Sequence, residues 1–250
     1  MKLAVVIPVY NHERAIGEVV EKLRELDQPV ILVDDGSDPL CAAVLDELAA
    51  RPGITLTRHA QNQGKGAAVM TGMRLAGELG YTHILQIDSD GQHEIADLPH
   101  ILALAQAHPD AVIAAYPVYD ESVPRSRLYG RYATHVLVWL DTLSLRIKDS
   151  MCGLRVYPLA PTLKLIGRAY IGRRMDFDTE ILVRLDWAGV PVVNAPVRVS
   201  YPIDGVSHYR MLRDNLRMSA MHTRLFVGMV PRVPRLMWRV LNGRASMRRV

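Results

Sequence analysis

Asp88 and Asp90 stand one residue apart, on either side of Ser89, directly after the short run His83–Ile87. A buried strand that stops there delivers both carboxylates to its exit, where they can share one hard divalent cation without either being driven into the core. Oxygen ligands suit Mg²⁺ or Mn²⁺, ions that keep several waters and bridge to substrate phosphates. Gln92 can add a carbonyl oxygen, and His93 a nitrogen that Mn²⁺ accepts better than Mg²⁺. The alternative is a solvated loop carrying two acids. A second chemical segment is Asn62-Gln63-Gly64-Lys65-Gly66. Its glycines permit close backbone approach and Lys65 can reach a phosphate or orient a carboxylate; the alternative is a glycine-capped turn with a surface lysine. It is not a Walker A loop, which needs a longer glycine spacing and a Ser or Thr after the Lys.

Such groups act only if the backbone brings them together. Leu3–Val9 is a continuous apolar run of the kind buried on both faces of a parallel sheet. Ile16, Val19, Val20, Leu23 and Leu26 then recur at helical spacing, which predicts a helix over 13–26. Strands follow at 30–33, 54–58, 83–87 and 111–115, with helices over 39–50, 66–79 and 97–107. This alternation predicts an α/β fold, a mostly parallel sheet with right-handed crossovers flanked by helices. Ligands in such sheets bind beyond the carboxyl ends of the strands. Tyr10-Asn11, Asp34-Asp35 and Asp88-Ser89-Asp90 all fall at those ends, so three strands deliver polar residues to one rim. Past 119 the pattern loosens: 120–131 is polar and reads as a loop, 132–145 as a helix, and 190–199 as an edge strand because of Pro191 and Pro196.

Hydrophobic residues make up 49% of the 250 and charged ones 22%, which excludes disorder and leaves one domain as the default. Cys41 and Cys152 have no metal or redox spacing and read as reduced cytosolic thiols. No apolar stretch is long enough to span a bilayer. The net charge of +4 belongs to the C-terminal part: ten arginines follow Gly205 against one acid, Asp214. The aromatics there are too few for base stacking, so nucleic acid is not the expected partner.

Four ordered segments carry a resemblance: Pro8-Val9-Tyr10-Asn11, Asp34-Asp35-Gly36-Ser37, Asn62-Gln63-Gly64-Lys65-Gly66 and Asp88-Ser89-Asp90-Gly91-Gln92-His93. In order and spacing they resemble the inverting family 2 glycosyltransferases of the GT-A, Rossmann-like fold, and most closely the dolichyl- or polyprenyl-phosphate sugar synthases. Asp149–Pro158, Phe177-Asp178-Thr179-Glu180 and Gly205-Val206-Ser207-His208 resemble later motifs of that group, so the likeness spans roughly 3 to 217. The resemblance implies that Pro8, Tyr10, Asn11, Asp34, Asp35, Lys65, Asp88 and Ser89 bind a nucleotide sugar, and that Asp88, Asp90 and Gln92 hold Mg²⁺ or Mn²⁺ on its diphosphate. A lipid or lipid-phosphate acceptor follows from the same likeness. A phosphate acceptor needs no strong base, whereas a hydroxyl acceptor would call on Asp178 or Glu180. The alternative for these acids is a helix start paired with Arg173, Arg174 or Arg184. The sequence departs from the pattern where an arginine is expected just before Gly205 and Asp204 stands nearby; Arg127, Arg131 and Arg210, with Ser207, are the groups available for an acceptor phosphate. A sugar-phosphate nucleotidyltransferase would carry a glycine-rich loop right after the first strand, which is absent. A non-catalytic nucleotide-binding module is the other competing reading.

Two regions are expected, a glycosyltransferase domain over 1–222 and a basic amphipathic helical segment over 223–250. Apolar residues from Leu225 to Leu241 are interleaved with Arg224, Arg232, Arg235 and Arg239, and Pro231 and Pro234 split the segment into two pieces. This composition suits a segment lying on an anionic membrane surface at the cytoplasmic, inner face. Truncation before Leu225 is then expected to leave a soluble domain. The alternative is a terminal helix packed on the domain.

Overall fold

Strand and helix alternate through the first half as the periodicity requires: β1 Leu3–Val9, α1 Ile16–Leu23, β2 Val30–Asp34, α2 Pro39–Ala49, β3 Ile54–Arg58, α3 Lys65–Glu78, β4 His83–Gln86, α4 Leu98–Ala107 and β5 Val112–Val118. The second half adds α5 Arg125–Thr142, β6 Arg155–Pro158, α6 Leu159–Ile166, α7 Phe177–Ala188, β7 Val192–Arg198, α8 Met211–Met229 and α9 Val233–Met247. These come from a computed structural model that describes residues 1–118, 125–199 and 211–247. The seven strands form one sheet in the order β3-β2-β1-β4-β6-β5-β7. All neighbours run parallel except β6, which is antiparallel to both β4 and β5.

Every residue of β1 is buried. Its side chains alternate between two cores: Leu3, Val5, Ile7 and Val9 face one with α1, α2 and α4, while Ala4 and Val6 face the other with α3 and α7. That double burial explains why the strand reads as an unbroken apolar run. On the second face α3 sits hard against the sheet, since a Cβ on Gly72 would come within 2.4 Å of Val6 Cγ1.

Several expectations need correction. The first helix covers 16–23 and tightens into a 3₁₀ turn over 24–26. Of the stretch read as a loop over 120–131, the part from Arg125 on is already helical, and 120–124 lies outside the described residues. β6 was not legible as a strand. The β7 edge position is as expected, and Pro196 pairs there with Tyr116.

The C-terminal segment divides between its two readings. The prolines break it as expected: α8 and α9 meet through a 3₁₀ turn over Val230–Arg232. Yet α8 runs unbroken through the 222/223 division, with Met221 and Leu225 both fully buried in one core cluster along with Met229 and Leu236. Truncation before Leu225 would open that core, so a soluble remainder is no longer expected. The opposite face of the two helices leaves Phe226, Val227, Trp238 and Leu241 exposed. Along α8, Met221 is buried and Met218 partly so, while Met211 is 76% exposed.

Candidate active site

The exits of β1, β2 and β4 form the expected rim, and the protein first uses its acids there to build its own turns. Asp34 Oδ1 accepts from Ser37 N (2.8 Å), and Oδ2 pairs with Arg58 Nε (2.5 Å). Asp35 is held at 2.7 Å from His59 Nδ1 and accepts from Gln63 N (2.9 Å) and Gly64 N (2.7 Å). Both carboxylates are buried. Asn11, in the left-handed conformation that asparagine tolerates, accepts from Asp38 N through Oδ1 (2.9 Å). Gly36, also left-handed, lies so close to the 61–62 backbone that a Cβ would come within 2.6 Å. The Asp-Asp-Gly-Ser segment thus seats the glycine-rich loop, and that loop sets the start of α3 and the position of Lys65.

Lys65 Nζ bridges two acids, 2.8 Å from Asp88 Oδ1 and 2.8 Å from Asp178 Oδ2. Burial alone would lower its pKa, but the two carboxylates outweigh it and hold the ammonium above its ordinary range. Asp178 is further fixed by Gln86 Nε2 (2.9 Å). Burial pushes Asp88 up, and Lys65 and then His93 bring it below the usual carboxylate range. Burial and the neighbouring Asp88 raise Asp90. Gly153 covers this cluster so tightly that a Cβ would lie 2.6 Å from Lys65 Nζ and 2.7 Å from Asp88 Oδ2.

The cluster fits a hard divalent cation held together with a phosphate substrate. Asp88 Oδ1 is buried against the Lys65 ammonium, and Asp90 presents a second carboxylate from the same strand exit, with Gln92 N on its Oδ1 (3.1 Å). Among the described residues no three His, Cys, Asp or Glu side chains form a metal cage. A cation here would therefore depend on Asp88 and Asp90 with substrate oxygens and water completing its shell, the usual situation for Mg²⁺ or Mn²⁺ at phosphates.

A second cleft, of about 180 Å³, opens beyond Asp149 and is lined by Tyr116, Arg131, Tyr132, His135, Trp139 and Lys148 among others. Its volume suits a head group more than a drug-sized molecule, whose sites run to about 300–1,000 Å³. Arg131, His135 and Trp139 recur every four residues of α5 and so share a helix face. Arg131 forks onto Asp149 (Nη2 to Oδ1, 2.8 Å, with Nε on Oδ2), and the same carboxylate accepts from Met151 N and Cys152 N, each at 2.8 Å. His135 Nε2 lies 3.4 Å from Asp149 Oδ2, stacked on Trp139. Lys148 Nζ sits 4.6 Å from the centre of the Tyr116 ring.

The structure therefore gathers Lys65, Asp88, Asp90 and Asp178 around one point and sends Glu180 elsewhere. Fully buried, Glu180 binds Arg184 (2.8 Å), Arg224 (2.8 Å) and Gly172 N (2.9 Å), which realises the Arg184 pairing weighed from sequence. Pro8 and Ser89 are buried at the rim, while Tyr10 is half-buried there. Arg131 reaches the second cleft. Arg127 lies on α5, but its side chain, like Ser207 and Arg210, falls outside the described residues. Sequence reading missed His135, Trp139 and Lys148; the four-residue spacing along α5 was the available signal.

A family model described as glycosyl transferase family 2 matches residues 4–172, well over half of the chain. The protein belongs to glycosyl transferase family 2. It is accordingly a glycosyltransferase, and the matched span carries both acids of the Asp88–Asp90 pair, Lys65 and the loop over them. Its relatives include a dolichyl-phosphate beta-glucosyltransferase of Trichomonas vaginalis, 28% identical over 81% of this chain and 67% of that protein. An undecaprenyl-phosphate mannosyltransferase of Micrococcus luteus is 27% identical over 79% of this chain and 83% of its own length. A UDP-N-acetylglucosamine–dolichyl-phosphate N-acetylglucosaminyltransferase of Methanococcus voltae is 24% identical over 78% and 84%. The glucosyl-3-phosphoglycerate synthase of Mycobacterium tuberculosis, solved with Mn²⁺, UDP and phosphoglyceric acid, superposes with a TM-score of 0.67 over 91% of this chain and 78% of that one, at 17% identity. That likeness establishes the GT-A fold of this glycosyltransferase.

Proposed function

We propose that this glycosyltransferase moves a sugar, with inversion, from a nucleoside-diphosphate sugar to a polyprenyl-phosphate-like lipid at the cytoplasmic face of a membrane, and that it requires Mg²⁺ or Mn²⁺. The observation that carries this reading is the second cleft. Arg131 and Lys148, set against the single acid Asp149 that holds Arg131, leave net positive charge in a pocket walled by aromatic rings, and Tyr132 at its edge begins an exposed apolar stripe along α5, continued by Val136 and Leu140. A phosphate head with a hydrocarbon tail matches a cationic seat that opens onto such a stripe. The names of the relatives support the same acceptor class.

Asp88 and Asp90, aided by Gln92, would hold the cation, which when bound supplies charge to neutralise the leaving diphosphate. Lys65 is placed to orient Asp88 and to meet a donor phosphate. Tyr10 and Asn11 stand where the nucleotide would lie, while Asp34 and Asp35 support that pocket through the turns they hold. Asp178 is occupied by Lys65 and Gln86, and Glu180 by two arginines and an amide, so neither is disposed as a general base. A phosphate acceptor, already anionic, needs none.

The apolar groups offered to the membrane in this reading are the α5 stripe, Leu212 and Leu216 of α8 and Trp238 of α9, all exposed, with the exposed Arg213 and Arg235 on the same two C-terminal helices. Among the described residues no helix is long and apolar enough to cross a membrane. The test is transfer of labelled sugar from UDP-glucose, UDP-N-acetylglucosamine or GDP-mannose to undecaprenyl phosphate in mixed micelles, read as label entering the organic phase. Transfer that needs Mn²⁺ or Mg²⁺ and stops with EDTA is expected. No transfer from any of these donors, or transfer indifferent to EDTA, would refute it.

A further inference from the structure

Arg155 opens β6, paired with Gln86 of β4 on one side and Ala114 of β5 on the other, and is fully buried. A strand buried on both sides calls for an apolar side chain there. Removing a guanidinium from water costs several kcal/mol, and well-packed apolar replacements of buried charges are often neutral or stabilising. Yet no carboxylate hydrogen-bonds to it among the described residues. Its partners are neutral oxygens: Nη1 donates to Tyr157 Oη (3.2 Å) and to the carbonyl of Asp178, and Nη2 to the carbonyl of Ser150 (2.6 Å). A residue this costly, spent on backbone oxygens, fixes geometry.

The two carbonyls belong to the two sides of the active site. Asp178 is the acid whose carboxylate holds Lys65 against Asp88. Ser150 begins the short loop whose previous residue, Asp149, carries Arg131 and the Met151 and Cys152 amides, and whose far end, Gly153, lies on Lys65 and Asp88. Thr179 Oγ1 gives Ser150 O a second donor (3.1 Å), so the loop is tied to α7 at the residue next to Asp178. The fork of one rigid, planar side chain therefore spans from the donor-side acids to the loop whose neighbour Asp149 holds the acceptor-side Arg131 of α5.

We propose that Arg155 is a positioning residue for sugar transfer: its guanidinium clamps Ser150 O to Asp178 O and so sets the spacing between the Lys65–Asp88–Asp178 cluster and the Asp149–Arg131 pair. The inference rests on the functional reading above, in which the first takes the donor and the second the acceptor. A lysine at this position keeps the charge but cannot reach both carbonyls in a fixed fork. Thr179→Val removes the second donor without altering any charge, which keeps the inference testable should the arginine variants fold poorly.

The experiment compares full-length wild type, Arg155→Lys and Thr179→Val in three measurements: thermal melting, hydrogen exchange over 149–154, and kinetics with undecaprenyl phosphate and whichever of UDP-glucose, UDP-N-acetylglucosamine and GDP-mannose the wild type uses. In folded Arg155→Lys, kcat should fall about a hundredfold, the scale of an ångström-sized misplacement, with donor KM changed less than about threefold. Exchange at Met151 and Cys152 should rise while that of β1 and β2 does not. Thr179→Val should show the same pattern, roughly tenfold in kcat. A purely structural arginine would instead lower melting and leave kcat of the folded fraction unchanged, which would overturn the proposal; so would wild-type exchange over 149–154 in both variants. If wild type transfers nothing to undecaprenyl phosphate, the acceptor reading fails on its own, and the exchange data with UDP·Mn²⁺ affinity decide the clamp: unaltered exchange refutes it, loosened exchange with unchanged affinity supports it.

Discussion

The C-terminal helices offer a clean separation of packing from surface chemistry, because neighbouring positions on them face opposite ways. Leu225 is 0% and Leu236 3% exposed, whereas Trp238 is 65% and Leu241 60% exposed. Leu225→Ala removes buried methyl and methylene groups beside Met221 and Met229, in a helix that cannot collapse freely because Arg224 is tied to Glu180. Such truncations cost about 2–5 kcal/mol. At about 2–4 °C per kcal/mol for a chain of this size, a loss of about 3 kcal/mol lowers Tm by roughly 6–12 °C. Trp238→Ser with Leu241→Ser should move Tm by no more than about 4 °C, since exposed substitutions usually stay within about 0.5 kcal/mol each. In flotation with anionic vesicles at low salt the order reverses. The double serine variant should bind at least about tenfold more weakly, because two apolar side chains worth about 1.5–3 kcal/mol each when buried no longer enter the interface. Folded Leu225→Ala should bind as wild type. If the serine variant keeps full vesicle affinity, or if Leu225→Ala melts like wild type, the division of these helices into a packed and a lipid-facing side is wrong.

Asp90→Ala should abolish transfer while leaving Tm within about 2 °C, since the carboxylate sits at the rim; residual turnover that persists in EDTA would count against a cation there. Glu180→Gln should act on stability, lowering it by about 3–5 kcal/mol by stranding Arg184 and Arg224, with near-normal kcat in the folded fraction measured by single-turnover assay; a hundredfold kcat loss without destabilisation would restore it as a base. Lys65→Met should leave the two buried carboxylates facing each other and cost both fold stability and turnover, whereas Lys65→Arg should recover stability more than activity; equal recovery would show that Lys65 has no role beyond the ion pair. For Asp149, burial pushes the carboxyl up and Arg131 brings it below the ordinary 3.8. Its folded pKa is thus depressed, so its contribution is complete above the unfolded value and is lost as pH falls through the folded one. Urea denaturation between pH 6 and 2 should show a shallower acid decline for Asp149→Asn than for wild type, and parallel curves would refute the assignment.

The rim was legible because each of its acids follows a buried run, and a parallel sheet leaves the end of such a run nowhere to go but the carboxyl edge. The roles within the rim were less legible. Asp34 and Asp35 look alike in sequence to ligand-binding acids, but whether a carboxylate meets a substrate or a backbone amide depends on loops distant in sequence, here 58–64. Glu180 shows the same limit, since Arg224, its partner, comes from a helix 44 residues on. β6 escaped because Arg155 and Pro158 break its apolar pattern, and only contacts made by the folded chain satisfy that arginine. The C-terminal segment shows both its faces in sequence, but not which one is covered.

The burial of Leu225, Met229 and Leu236 in the same cluster as Val6 and Val33 also bears on how the protein comes into being. The helices that cover one side of the sheet, α1, α2 and α4, are all made before residue 108. On the other side α3 is in place early against β1 and β2, but α5, α7 and α8, which complete that layer, lie far along the chain, and during synthesis at about 5–20 residues per second the interval lasts many seconds. Until then the apolar side chains of α5 and α7 on which α8 packs stay uncovered. The helices that finally cover them carry exposed apolar residues on their own outer surfaces. In the proposed membrane-bound reading, a late-arriving pair of amphipathic helices has two competing destinations, its own helical layer and the lipid surface, and folding must settle the first before the second can be used.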